Sequence, residues 1–205
     1  KRAPPLAVLF AAAQAVDILF FSFVLTGIEK MRIEPGITVM SPLDLYYMPW
    51  THSLPGALGV SVLFGLLVAP FAPRGDKARW WTISALVVFS HWLLDLVVHR
   101  PDLGLWWDTD KVGFGLWNRP EIEMPLELGL LTLGTFFYAR ATRADSALGR
   151  ASPWIVLAIF FALQIFGWYG PVPTEIRAFA MTGLAGYGVV VLLGVWLDRA
   201  RRPRA

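Results

Sequence analysis

Residues 80–100 read WWTISALVVFSHWLLDLVVHR. A helix needs about 20 predominantly apolar residues to cross the hydrocarbon of a bilayer. This run has that length, opens on two tryptophans and closes on a histidine–arginine pair. Aromatic rings with one polar edge prefer the membrane–water boundary. The stretch therefore predicts a membrane-crossing helix, and its one acid and two histidines are costly residues in that setting.

Working outward, further apolar stretches occupy 4–28, 52–72, 122–139, 153–170 and 177–197. Pro4, Pro5 and Pro153 stand where helices begin, at positions where a missing N–H costs nothing. The expectation is an all-α, polytopic membrane protein of about six transmembrane helices, folded as a single integral membrane domain over 1–205. A cleaved signal peptide is a poor reading of the first stretch. It runs on through Phe20, Phe21 and Phe23 and lacks a small-residue cleavage site.

Composition agrees. The 205 residues are 56% hydrophobic and 16% charged, with 14 phenylalanines and 10 tryptophans; soluble domains carry about 25% charged residues. The absence of cysteine excludes disulfides, thiol nucleophiles, Cys-ligated zinc and iron–sulfur clusters. A net charge of +3 dispersed over short loops is no nucleic-acid groove.

Loop charge sets the orientation. Lys1, Arg2, Arg74, Lys77, Arg79, Arg140, Arg143, Arg150, Arg199, Arg201, Arg202 and Arg204 fall on one side, twelve of the 18 basic residues. The positive-inside rule places that side, and both termini, in the cytoplasm. Trp80, Trp81, Trp154 and Trp196 fall at the inner ends, and Trp50, Trp106, Trp107, Trp117 and Trp168 near the outer ones. Two outer connections, 29–51 and 101–121, are long and rich in Pro, Gly, aromatics and acids. Long connections are functional or disordered, and so many aromatics favour a folded cap over the outer face.

Ionisable residues inside the spans gather in the outward half. Asp17, with Gln14 one turn before it, lies near the middle of the first span. His52 opens the second, His91, Asp95 and His99 follow in the third, and Glu127 lies near the outer end of the fourth. His91 and Asp95 stand at i, i+4 and share a helix face about 6 Å apart, the geometry of a helical two-ligand metal site. His99 is one turn further, about 12 Å from His91 at 1.5 Å per residue. That suits a partner of Asp95 or a ligand of a second ion. His52 would complete a two-histidine, one-carboxylate set. Against this stand structural readings: a hydrogen-bonded histidine, an interhelical bond between Asp17 and Gln14, and pairing of Glu127 with Arg119 or Arg100. Ala178, Thr182, Gly186 and Gly194 read as a small-residue packing stripe, and the last two spans as scaffold.

The strings Thr51-His52-Ser53-Leu54 and Ser90-His91-Trp92-Leu93-Leu94-Asp95 resemble the signatures of a bacterial inner-membrane family, the YdjM-like predicted metal-dependent hydrolases. The likeness covers the second and third spans. It departs where Met48-Pro49-Trp50 replaces an expected His-Arg pair, and where Asp17 stands in for an early histidine. It implies a bacterial inner-membrane location and metal binding by His52, His91 and Asp95.

The resulting expectation is a metal-dependent hydrolase whose site faces the periplasm and acts on a lipid-like or phosphoester substrate. The metal ligands are His52, His91 and Asp95, with His99 beside them. Imidazole plus carboxylate suits zinc, with manganese or iron as alternatives. Glu127 or Asp17 is the candidate general base, and Arg100, Lys111 or Arg119 would hold an anionic headgroup. Partners would be membrane lipids and other membrane proteins. The competing expectation is a non-enzymatic accessory subunit whose polar cluster serves helix packing. A proton or cation path is weakened by the lack of polar residues in the inner half.

Overall fold

The computed structural model describes residues 3–204; Lys1 and Arg2 of the basic inner set lie outside them. The first apolar stretch is two helices, α1 (Leu6–Ala13) and α2 (Ala15–Thr26), bent by 50°. The hairpin β1 (Lys30–Ile33) and β2 (Leu43–Tyr47) leads to α3 (Leu54–Val68) and α4 (Lys77–Val98). A second hairpin, β3 (Leu103–Trp106) and β4 (Thr109–Val112), precedes α5 (Pro120–Ala141). The short strand β5 (Thr142–Arg143), α6 (Ala147–Tyr169), α7 (Ile176–Ala200) and β6 (Arg202–Pro203) complete the chain, with β5 pairing β6.

The protein is predominantly helical, and among the described residues four helices are long and apolar enough to cross a membrane, or five when the bent pair is one span. Only 11–28% of their most apolar windows is buried inside the protein. Helices apolar all round and left uncovered to this degree need lipid as their solvent. The fourth expected span corresponds to α5. It has 22 residues, but Glu121, Glu123 and Glu127 load its first turns and leave it less apolar than the others.

The helix α1 lies between α4 and α7, α3 packs tightly on α4, and the α5–α6 pair leans on α7. Asp198 of α7 accepts from the backbone N–H groups of Leu6 and Ala7 at 2.9 Å each. It satisfies donors that a helix start leaves open and meets the positive end of α1. One apolar cluster, Ala12, Ala15, Val16, Val60 and Val88, joins the bent pair to α3 and α4. Another, Phe20, Phe21, Met31, Leu45, Met48, Leu103 and Ala180, seats both hairpins on α2 and α7. The long connections thus form two hairpins built onto the helices.

The α7 packing face differs from the expected stripe. Gly194 and Ala180 are buried, and Gly183 meets Phe21. Ala178 and Thr182 line a cavity, and nothing lies within 4 Å of a Cβ placed on Gly186. Residues 180, 183, 187 and 194 follow the helical period toward α1 and α2, so the stripe is rotated from the four-residue reading. A Cβ on Gly194 would stand 2.7 Å from the Ala7 Cα. Gly194→Leu is therefore expected to separate α1 from α7 and lower stability by about 1–3 kcal/mol. Gly188→Ala, where the added atom meets nothing within 4 Å, should leave the melting temperature in lipid nanodiscs unchanged or raise it.

Candidate metal centre

The centre begins with the break in the first span. Gln14 leaves helical geometry at φ −111°, ψ 5°, and its side-chain amide donates to the Phe10 carbonyl at 3.2 Å. The break has two local consequences. It places Asp17 in the first turn of α2, where the positive helix end favours a carboxylate. It also leaves the Ala13 carbonyl to take a hydrogen bond from His91 Nδ1 at 2.8 Å. A side chain entering the backbone ladder at a kink is a recurrent cause of bending.

Four side chains from three segments converge there. His52 Nε2 lies 3.4 Å from Asp17 Oδ1 and 3.7 Å from Asp95 Oδ2. His91 Nε2 lies 3.5 Å from Asp17 Oδ1 and 3.2 Å from Asp95 Oδ2. Ligand atoms of Asp17, His52 and His91 all lie within 4.8 Å of one another. Neighbouring ligands at zinc bond lengths of about 2.0–2.1 Å in tetrahedral array stand about 3.3–3.4 Å apart. The observed edges bracket that value.

Three of the four groups are oriented from behind. A carbonyl only accepts, so His91 Nδ1 carries a proton and Nε2 is the ring atom that faces the centre, with a lone pair there when the ring is neutral. His52 Nδ1 lies 2.8 Å from Thr51 Oγ1, whose hydroxyl donates to Glu29 Oε2 at 2.7 Å. With its one proton committed, the Thr51 hydroxyl accepts from His52 Nδ1, and His52 Nε2 is the ring atom that faces the centre. The Tyr187 hydroxyl of α7 donates to Asp17 Oδ2 at 2.8 Å, leaving Oδ1 for the centre. Asp95 Oδ2 is buried without a hydrogen-bond partner. Histidines tied through one nitrogen and carboxylates tied through one oxygen are the usual surroundings of metal ligands.

Glu29 anchors this network to the first hairpin. Its Oε1 accepts from the Trp50 and Thr51 backbone N–H groups at 2.8 and 3.0 Å. Burial pushes the Glu29 carboxyl up from its ordinary range, although Thr51 and Trp50 donate to it and lower it. Ser53 caps α3 by accepting from the Gly56 N–H at 3.0 Å, and Trp92 Nε1 donates to the His52 carbonyl at 2.9 Å. His52 is therefore fixed on both sides, at 2% exposure.

His52, His91 and Asp95 thus come together as the sequence pattern suggests, and Asp17 joins them among the ligand atoms, away from Gln14. His99 is one step removed: Nε2 is 3.9 Å from Asp95 Oδ1, and Nδ1 is bonded to Asp102 at 2.9 Å. Glu127 belongs to another group, hydrogen-bonded to Gln164 of α6, and pairs with neither Arg119 nor Arg100. Among the proposed headgroup cations, Arg100 is held by Asp44 and Asp102, Lys111 by Asp108 and Arg119 by Glu121. Glu29 and Tyr187 were not singled out in the sequence; Tyr187 reads as one more aromatic in an apolar span.

The chain matches no protein-family model, no curated protein and no solved structure. Its site is read on its own geometry.

Tyr187→Phe keeps the ring and removes the donor to Asp17. It is expected to weaken zinc binding by about 10–100-fold, measured by chelator competition on protein in nanodiscs. Glu127→Gln, outside the cluster, should leave that affinity unchanged.

Proposed function

We propose that this chain is a six-span inner-membrane protein, termini in the cytoplasm, with an outward-facing divalent-metal centre that hydrolyses a lipid-like ester or phosphoester. The observation that carries the reading is a convergence of ligand atoms. Nε2 of His52 and of His91 and the inner oxygens of Asp17 and Asp95 meet at 3.2–3.7 Å. Buried carboxylates need a positive partner, and with both imidazoles neutral a cation at their centre is that partner.

Asp17, His52 and His91 are the ligands this reading assigns first, with Asp95 facing the same point. Two imidazoles and carboxylates favour zinc over magnesium or calcium, with manganese or iron as alternatives. Such an ion supplies Lewis acidity, polarising an ester or phosphoryl oxygen and acidifying water. Asp95 Oδ2 is the free acceptor for a proton at the centre. Glu127 lies apart from the cluster, where it accepts from Gln164. The Thr-His-Ser and Ser-His-x-x-Leu-Asp strings support kinship with the YdjM-like group.

The six-span count takes α5 as a span in spite of its acids. An even number agrees with every loop charge. The hydrolytic step rests on the chemistry of the donor set, and the lipid-like substrate on the depth of Asp17, His91 and Asp95 in apolar helices.

Purified wild-type protein is expected to carry close to one equivalent of metal, and His91→Ala and Asp17→Ala to lose it. Metal-free wild type that stays metal-free after incubation with zinc would overturn the reading. It would favour His91 as a charged imidazolium clamped between two carboxylates for packing. Orientation is checked by single cysteines in this cysteine-free chain. Val39→Cys should react with a membrane-impermeant maleimide from outside, and Ala147→Cys only after permeabilisation.

A further inference from the structure

A cavity of about 700 Å³ opens between the α5–α6 pair, the start of α7 and the first hairpin. Ligand sites typically occupy about 300–1,000 Å³. Its walls are mainly apolar, including Met40, Leu43, Trp117, Trp168, Val172 and Phe179. Three acids line it, Glu123, Glu127 and Glu175, and no lysine or arginine does.

Two of those acids stand one turn apart on α5. Glu123 is 1% exposed, and its Oε2 is buried without a hydrogen-bond partner. Glu127 accepts from the Gln164 amide across the groove and shares a hydrogen bond with Glu123. The Glu123 Oε2 left without a partner at this depth is an unsatisfied buried polar atom, and among the described residues no side chain lining the cavity brings a positive charge.

We propose that this cavity binds an amphiphile with a protonated amine head, the amine held between Glu123 and Glu127 and the apolar body lying against Met40, Leu43, Trp168 and Phe179. An ammonium group brings three donors and one positive charge, which suits two adjacent carboxylates. A chain running along the apolar wall buries surface at about 25 cal/mol per Å². Trp117 links the cavity to the metal centre, since its ring faces that of His99 at 4.3 Å. The amine site stands independently of metal binding, because none of its acids belongs to the metal cluster.

The test is calorimetric titration of the full chain in nanodiscs with dodecylamine, empty nanodiscs subtracted. Saturable binding is expected, weakened about tenfold or more in Glu123→Gln and in Glu127→Gln, as loss of a charged hydrogen bond implies. Dodecanol, which lacks the charge, and methylamine, which lacks the chain, should each bind about tenfold more weakly or worse. Thr182→Trp fills the cavity without touching the acids and should abolish binding. Equal affinity for dodecanol overturns the charged half of the proposal, and equal affinity for methylamine the apolar half. Undiminished binding in Thr182→Trp overturns the location, and that variant decides the matter if Glu123→Gln fails to fold. Retention of metal by the glutamine variants separates this outcome from failure of the metal centre.

Discussion

The hydrogen bond from His91 to the Ala13 carbonyl, 2.8 Å long, joins the break in the first span to the chemistry of the third. A continuous helix would keep that carbonyl in its own ladder and bury it from other donors. Broken at Gln14, the same chain offers a carbonyl to one side and a fresh helix start to the other. The carbonyl fixes His91 with its proton on Nδ1, and the helix start carries Asp17. Both inward-facing partners of the His91 ring, Asp17 and Asp95, then lie at 3.5 and 3.2 Å from its Nε2. Irregular backbone is tolerated at membrane depth where protein groups satisfy it, and here His91 is the group that does so.

The first hairpin performs the same service for His52. Glu29 stands just before β1, accepts two backbone N–H groups from the turn entering α3, and takes the Thr51 hydroxyl as a third donor. The hairpin itself is held by its apolar seat and by Arg32 and Arg100 converging on Asp44, with Arg32 Nη2 at 2.5 Å. The register of β1 against β2 therefore sets where Glu29 sits, and Glu29 sets which nitrogen of His52 is free. Gly104 performs a comparable task in the second hairpin: a Cβ there would stand 1.8 Å from the Trp107 carbonyl oxygen. Only glycine admits that approach.

Legibility followed the kind of signal. Apolar length made the helices readable, and i, i+4 spacing made the His91–Asp95 face readable, because both are local properties of a 3.6-residue period. The break at Gln14 was not readable: Ala13-Gln14-Ala15 contains no proline or glycine, and the bend arises from contacts with α4 made only in three dimensions. For that reason the convergence of Asp17 with His52 and His91 was not visible beside Gln14. Glu127 shared the depth of the cluster but not its azimuth. Depth follows from position along a span, whereas azimuth depends on which helices are neighbours, and α5 neighbours α6. The same limit hid Tyr187, whose role depends on α7 lying across α2.

Electrostatics closes the account of why so polar a knot can persist between apolar helices. Two carboxylates and two neutral imidazoles carry a formal charge of −2, and each buried ion costs several kcal/mol even after relaxation. The hydroxyl of Tyr187 and the positive end of α2 reduce this cost, but neither brings a full positive charge. Arg100, a guanidinium between α4 and the second hairpin, is already committed to Asp44 and Asp102. Compensation must therefore come from protons on the imidazoles or from an ion among them. Protons would put Nε2–H donors in the centre, facing Asp17 and Asp95, and would make His91 and His52 ion pairs. The arrangement behind the rings is indifferent to that choice for Nδ1, yet it is the pattern that frees Nε2. Three separate supports, Ala13, Thr51 and Tyr187, turn the two Nε2 atoms and the Asp17 Oδ1 toward one point, where either form of compensation acts.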